Sequence, residues 1–281
     1  MDTLLRDLAV LVTGASGGIG RATADAFARE GCRLALHAHT GLDALRAWAD
    51  ESPSRAGAFC GQADLCHSDQ SEALVGDAVA ALGRLDVCVI NAGIWPPESV
   101  ALHELAPERI EAVLTTNLLS AMWTARAFLR AVARTGPRAD GRGVSICLVG
   151  STAGRFGEAG HTPYAVSKAG MYGLLRSLKN EIVALDRYGR VNLVEPGWTA
   201  TPMAADALAT PGHIEQALAT VPIRQLARAE DIAASILYLS SPALARHVSG
   251  EVITVSGGME GRRLWTDDDI DPEAVRQRLR S

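Results

Sequence analysis

The chain has 281 residues, of which 48% are hydrophobic and 21% charged, with a formal net charge of −5. Such a chain encloses a substantial core, and an acidic balance with scattered arginines argues against a nucleic-acid footprint. No apolar run approaches the roughly 18 residues of a membrane span, and Met1 to Asp7 lacks the basic-then-apolar order of a secretory leader, so a cytoplasmic protein with no membrane partner is expected. The five cysteines, Cys32, Cys60, Cys66, Cys88 and Cys147, are odd in number and unclustered. Reduced thiols are expected, and no metal site, because Cys60, Cys66 and His67 lack a second ligand pair.

In chain order, short β-rich runs alternate with longer segments of helical period. A strand over Leu8 to Thr13 leads to a helix over Gly18 to Glu30, and Arg33 to Ala38 to a helix over Leu42 to Glu51. Ala56 to Gln62 is followed by a helix over Asp69 to Leu82, Asp86 to Ile90 by Pro107 to Arg134, and Val144 to Val149 by Thr162 to Leu185. Strand Arg190 to Val194, helix Ala229 to Leu239 and strand Glu251 to Val255 complete the alternation. The strands are almost continuously apolar, as strands buried on both faces are. A Rossmann-like, doubly wound α/β domain with a seven-stranded parallel sheet is predicted over residues 1–258. Two stretches depart from the pattern: a Pro-, Thr- and Ala-rich lid over 196–222, and a polar tail over 259–281.

The run Val10-Leu-Val-Thr-Gly14-Ala-Ser16-Gly-Gly18-Ile19-Gly20 follows the first strand and opens the first helix. Its glycines let backbone approach a pyrophosphate at a helix N-terminus, so a dinucleotide is the expected ligand. At the end of the second strand no acid is present to bind a ribose 2′-hydroxyl; the residues there are His37, Ala38, His39 and Thr40. The missing carboxylate removes repulsion against a 2′-phosphate, and His37, His39 and Thr40 offer donors, so NADP(H) is favoured with NAD(H) possible. The two histidines are also consistent with polar surface positions. Gly17 stands where an arginine would most help a phosphate. Asp64, after the third strand, reads either as an acceptor for an adenine amino group or as an exposed loop carboxylate.

Tyr164 and Lys168 are four residues apart, a spacing that stacks them on one helix face about 6 Å apart along the axis. A nearby ammonium favours the phenolate, so the pair predicts a tyrosine moved toward acid/base work near neutrality. Ser151 lies thirteen residues before Tyr164.

These motifs, together with Asp64-Leu65, Asn91-Ala92-Gly93, Asn117, Pro196-Gly197, Thr201 and Ser249-Gly250…Gly257-Gly258, occur in an order that resembles the short-chain dehydrogenase/reductase family, close in pattern to its 3-oxoacyl carrier-protein reductase branch. The resemblance covers about Leu8 to Gly258. It implies that Tyr164 exchanges a proton with the substrate oxygen and that Lys168 lowers the phenol pKa and holds the nicotinamide ribose. It further implies that Ser151 orients the substrate oxygen and Asn117 holds a water leading to Lys168. Asn91, Ala92 and Gly93 would line the adenosine-ribose side, and Pro196, Gly197, Thr199 and Thr201 the nicotinamide end. Ile90, where the family often has Asn, and Ser256, where it often has Asp, depart from the pattern. Glu195, a charged residue before Pro196, is read as either a surface residue or a neighbour of the site.

Residues after the strand ends form a candidate substrate pocket: Trp95, Phe156, His161, Trp198 and Met203. Two indoles and a thioether favour a flat or aliphatic carbonyl compound over a small polar sugar. Leu118, Met122, Met171, Leu174, Leu175 and Leu178 offer more apolar surface than one sheet face needs. With the family's habit of pairing these helices, they imply a homotetramer, or else a dimer. Trp265 and the segment through Leu279 read as a short amphipathic helix docking on a neighbour, or as a solvated end. The leading expectation is NADPH-dependent reduction of a ketone, a 3-oxoacyl thioester or similar carbonyl. An NAD-dependent alcohol or steroid-type dehydrogenase is the alternative, and a nucleotide-sensing protein without turnover the third reading.

Overall fold

A computed structural model describes residues 2–262, 267–269 and 271–280. The first half runs β1 (Ala9–Val12), α1 (Gly18–Arg29), β2 (Arg33–Ala38), α2 (Leu42–Asp50), β3 (Phe59–Gln62), α3 (Ser68–Leu82) and β4 (Val87–Ile90). It continues with α4 (Pro107–Leu114), α5 (Ser120–Thr135), β5 (Ser145–Val149), α6 (Thr152–Phe156), α7 (Thr162–Glu181) and β6 (Arg190–Pro196). The last part holds β7 (Thr199–Ala200), α8 (Ala205–Ala209), α9 (His213–Leu218), β8 (Ala227–Arg228), α10 (Ala229–Ser240), β9 (Val252–Val255) and α11 (Pro272–Arg280).

Seven strands form one parallel sheet in the order β3-β2-β1-β4-β5-β6-β9, as predicted. β1, β4, β5 and β6 are buried from end to end; β1 and β4 are accordingly apolar without alternation, whereas β6 also encloses Arg190, Asn192 and Glu195. Helices cover both faces. One core layer joins Phe27, Leu45 and Trp48 to Ile232 and Ile236, and the other joins Val75 and Phe128 to Met171 and Leu175. Phe27 and Phe128 are fully buried, one in each layer. Strand order reverses direction between β1 and β4, and in an open α/β sheet that divide opens a crevice at the strands' carboxyl ends.

Three local features differ from the sequence reading. The predicted helix over Pro107 to Arg134 is interrupted by a π-helical turn over Thr115–Leu119, a class of irregularity frequent at functional sites. The segment expected as an unstructured lid contains α8 and α9 and is pinned by a two-residue parallel pairing of β7 with β8. The short α6 was not foreseen; Ser151 caps it by accepting a hydrogen bond from the Ala153 N–H at 3.1 Å. In the tail a helix forms over Pro272–Arg280, with Val275 and Leu279 exposed, while Trp265 lies outside the described residues. No helix among the described residues is long and apolar enough to cross a membrane.

At the amino ends of β1 and β4, Asp86 is fully buried and accepts from the Ala9 N–H at 2.9 Å, from Arg84 at 2.6 Å and from Arg138 at 3.0 Å. This knot closes the edge of the sheet opposite the crevice. Both carboxylate oxygens accept, Oδ1 from Arg84 and Oδ2 from Ala9 and Arg138.

Candidate active site

The glycine loop is shaped by contacts with its neighbours. Gly14 has φ of +66°, a conformation that suits glycine. A Cβ on Gly20 would sit 2.1 Å from the Gly14 carbonyl oxygen, and one on Gly18 would sit 2.8 Å from Thr201 Cγ2. Gly20 is therefore closed to a side chain by backbone, and a side chain at Gly18 would have to displace Thr201. Asn91, at the end of β4, donates through Nδ2 to the Thr13 and Gly14 carbonyls at 3.0 and 3.3 Å, and Thr13 Oγ1 accepts from the N–H groups of Asn91 and Ala92. At Gly17, by contrast, a Cβ would find only the Gly14 oxygen, 3.7 Å away. The loop thus presents bare backbone to a cavity lined by Ser16, Gly18, Ile19, Gly20, His37, His39, Thr40, Asp64, Leu65, Ala92 and Gly93. A helix N-terminus with glycine backbone on one side and adenosine-sized space on the other fits a dinucleotide.

His37 requires a correction. It is 2% exposed, its Nδ1 accepts from the Gly14 N–H at 3.1 Å, and its Nε2–H donates to the Ala63 carbonyl at 3.0 Å. Burial also pushes its pKa below the ordinary value, so the ring is neutral with both nitrogens engaged. It supports the loop from behind and offers no donor to a phosphate. His39 and Thr40 are exposed at the cavity edge. Asp64 holds its carboxyl below the usual range chiefly through the Cys66 N–H, which donates at 3.0 Å, with His67 at 3.1 Å adding to it.

A second cavity continues from the first, sharing Ile19, Asn91, Gly93, Ile94, Thr201 and Met203 with it. Ser151, Tyr164 and Lys168 stand on its wall with Pro196, Gly197 and Thr199. The α7 helix places Lys168 Nζ 5.8 Å from the Tyr164 ring centre, on the predicted shared face. Lys168 is 6% exposed and donates to the Val149 carbonyl at 3.0 Å, and burial pulls its pKa down to about 8. Tyr164 moves the other way: burial raises it to about 12, against a smaller lowering by a hydrogen bond with Ser151. The expected depression of the phenol by the lysine is not found: burial dominates and raises the group, and the influences that lower it come from Ser151 and Arg262.

Asn117 sits in the π turn, fully buried, and its amide clasps one backbone unit: Oδ1 accepts from the Ile94 N–H at 2.7 Å, and Nδ2 donates to the Ile94 carbonyl at 2.9 Å. Nδ2 also reaches Ser167 Oγ at 3.2 Å. A Cβ on Gly93 would lie 2.9 Å from Asn117 Oδ1 and 3.6 Å from Lys168 Nζ, so glycine there lets the two side chains approach. Asn117 is therefore beside Lys168, with its own hydrogen bonds spent on positioning the loop after β4.

The substrate side is formed by Trp95, Trp198 and Met203, with the two indoles edge to face at 6.1 Å. His161 is not on the wall; it is buried and stacks behind Trp95 at 4.8 Å. Phe156 is likewise absent from the lining, at the end of α6 beneath the Arg155 guanidinium. Glu195 is 1% exposed, which excludes the surface reading. It accepts from the Tyr172 hydroxyl and, at 3.0 Å, from Thr254 Oγ1. Glu158, Thr152 and Arg262 also line the cavity, and the sequence did not point to them.

A family model described as enoyl-(acyl carrier protein) reductase matches residues 14–260. The chain belongs to the short-chain dehydrogenase/reductase family. Among relatives of this dehydrogenase/reductase, an L-rhamnose 1-dehydrogenase (NAD(P)(+)) of Azotobacter vinelandii is 37% identical over 262 residues, covering 91% of this chain and 98% of that one. A 3-oxoacyl-[acyl-carrier-protein] reductase FabG of Thermotoga maritima is 32% identical, covering 89% and 96%. A short-chain glucose/ribitol dehydrogenase structure from Brucella melitensis superposes with a TM-score of 0.79 at 29% identity, covering 90% of this chain and 96% of that one. The protein is an oxidoreductase of this family acting on CH–OH or C=O groups with an NAD(P)(H) cofactor.

Proposed function

We propose that this dehydrogenase/reductase interconverts a secondary alcohol and its ketone, with Tyr164 exchanging the proton and NADP(H) or NAD(H) held along the glycine loop. The observation that carries the reading is the placement of Ser151, Tyr164 and Lys168 on the wall of a cavity continuous with that loop. A bound nicotinamide supplies the hydride to the substrate carbon or takes it away. In the reducing direction Tyr164, kept protonated by burial, gives its proton to the carbonyl oxygen as negative charge develops there. In the oxidising direction the phenolate accepts that proton back. Ser151 steadies the same oxygen, and the Lys168 ammonium stabilises the phenolate left after donation.

NADP(H) remains the favoured cofactor, because no acid stands at the end of β2 to repel a 2′-phosphate. The preference is small, on the order of tenfold or about 1.4 kcal/mol, because neither lysine nor arginine lines that end of the cavity and His37 is committed elsewhere. The narrower substrate expectation, a 3-oxoacyl thioester, draws support from the likeness to the Thermotoga reductase. The likeness to the L-rhamnose dehydrogenase speaks for a hydroxylated substrate instead.

A homotetramer is proposed on Leu119, Met122, Val166 and Val183, which are between 38% and 51% exposed on neighbouring elements. Met171, Leu175 and Leu178 belong to the chain's own core and contribute nothing to such an interface. Light scattering on the purified protein tests this; a monomer would overturn it. Residues 196–222 are proposed as the lid and 259–281 as a tail, in a cytoplasmic protein.

Tyr164→Phe tests the chemistry. The variant should bind NADPH within about twofold of the parent and lose turnover by roughly 100-fold or more. Retained turnover would show that another group moves the proton.

A further inference from the structure

Glu158 and Arg262 face the catalytic cavity from segments far apart in the chain, the loop between α6 and α7 and the stretch after β9. Glu158 Oε2 and Arg262 Nη2 are 3.5 Å apart, and the side chains are 14% and 18% exposed. Each is held by further partners. Trp95 Nε1–H donates to Glu158 Oε1 at 3.2 Å, while Arg262 donates to the Gly157 carbonyl at 3.3 Å and to Thr152 Oγ1 at 3.4 Å. The result is a fixed, mostly buried ion pair on the wall of a cavity, adjoined through Trp95 by a corner of two indoles at 84° to each other. The pair is also close enough to Tyr164 to bias it in opposite senses, Glu158 raising the phenol pKa and Arg262 lowering it.

We infer that this pair is the specificity determinant of the site and selects a neutral, polyhydroxylated ring, Glu158 accepting from one substrate hydroxyl and Arg262 donating to its neighbour. The inference rests on the alcohol–ketone chemistry proposed for Tyr164. Three arguments carry it. A hydroxyl both donates and accepts, so adjacent hydroxyls satisfy a carboxylate and a guanidinium together. An acyl chain would cover both charges and give neither a hydrogen bond, a costly arrangement for partly desolvated groups. A carboxylate substrate would meet Glu158 as closely as Arg262, and recruiting the guanidinium would leave Glu158 without its counter-charge. The indole faces of Trp95 and Trp198 then pack on the ring's C–H surfaces. The sequence-based preference for an apolar carbonyl compound counted those indoles and missed the ion pair between them and the tail.

Steady-state assays with both cofactors on cyclohexanol, cis-1,2-cyclohexanediol, a set of aldopyranoses, 4-hydroxycyclohexanecarboxylate and a 3-oxoacyl thioester test it. The polyhydroxylated rings should exceed cyclohexanol in kcat/KM by at least 100-fold. Glu158→Gln, which keeps an acceptor for Trp95, and Arg262→Gln should each cut that ratio by tenfold or more, mainly through KM, and Arg262→Lys should restore part of it. Thermal melts matched to the parent establish that the variants are folded. Preference for the carboxylate or the thioester, no turnover of any hydroxylated ring, or an unchanged ratio in both glutamine variants would each overturn the inference. Retained turnover in Tyr164→Phe would instead overturn the chemistry on which it rests.

Discussion

The backbone N–H of Gly14 donates to Nδ1 of His37 across 3.1 Å, and the Ala15 N–H donates to the His37 carbonyl at 2.8 Å, so one residue of β2 fastens the first turn of the glycine loop twice. Only the first tie depends on the side chain. His37→Ala leaves the half-buried Gly14 N–H and the Ala63 carbonyl without their side-chain partner and should destabilise the fold by roughly 1–3 kcal/mol. Affinity for NADH and NADPH should fall together, by similar factors. Fluorescence titration of both cofactors checks this; a loss confined to NADPH would restore His37 as a phosphate reader.

Discrimination between the cofactors is expected to lie at the exposed end of β2. His39→Asp places a carboxylate where a 2′-phosphate would sit, and NADPH binding should weaken by about tenfold or more while NADH binding holds or improves. The same titration reads it, and equal losses for both cofactors would count against the placement.

Lys168 sets a pH dependence in stability. Its pKa is lowered in the fold to about 8 from 10.5, so between those values the unfolded chain carries the extra proton and stability rises with pH across that window. Below about pH 8 the fold bears the whole cost of burying the ammonium. Lys168→Met should therefore raise stability at pH 7 by roughly 1–3 kcal/mol, an advantage that shrinks toward pH 10.5. Turnover should fall by roughly 100-fold or more. Denaturant melts at pH 7 and pH 10 give the comparison; a variant less stable at pH 7 would contradict it.

Asp86 provides a contrast far from the crevice. Asp86→Ala removes the shared acceptor of Arg84, Arg138 and the buried Ala9 N–H, leaving Arg138 only Asp140 and Arg84 only the Gly136 carbonyl, and should cost about 3 kcal/mol. Activity per folded molecule should be preserved. A specific-activity loss exceeding the unfolded fraction would show that the knot is coupled to the site.

The strands were legible because most are largely apolar runs bounded by turn residues, and Ser151, Tyr164 and Lys168 because their spacing survives without three-dimensional information. What escaped the sequence depends on closure between distant segments. The burial of His37 needs Gly14 and Ala63 to close over it, and Glu195 at a strand end becomes interior only once Tyr172 and Thr254 are placed beside it. Arg262 reaches Thr152 across 110 residues, a pairing no local pattern announces. The π turn hid for another reason: the helical period runs legibly on both sides of Asn117, and one surplus residue in a turn leaves the composition unchanged.

That surplus residue ties the catalytic neighbourhood to the fold in terms of insertions and deletions. The turn at Thr115–Leu119 sets the phase between α4 and α5, and each residue of an α-helix accounts for about 100° of rotation. Removing one residue there would offer the chain a smoother helix, at the cost of turning either the Ile94 clasp of Asn117 or the Phe128 face of α5 away from its partner. Substitutions along this stretch are graded in their effect, whereas a change of length is all-or-none. Its residue count is consequently more constrained than most of its residue identities.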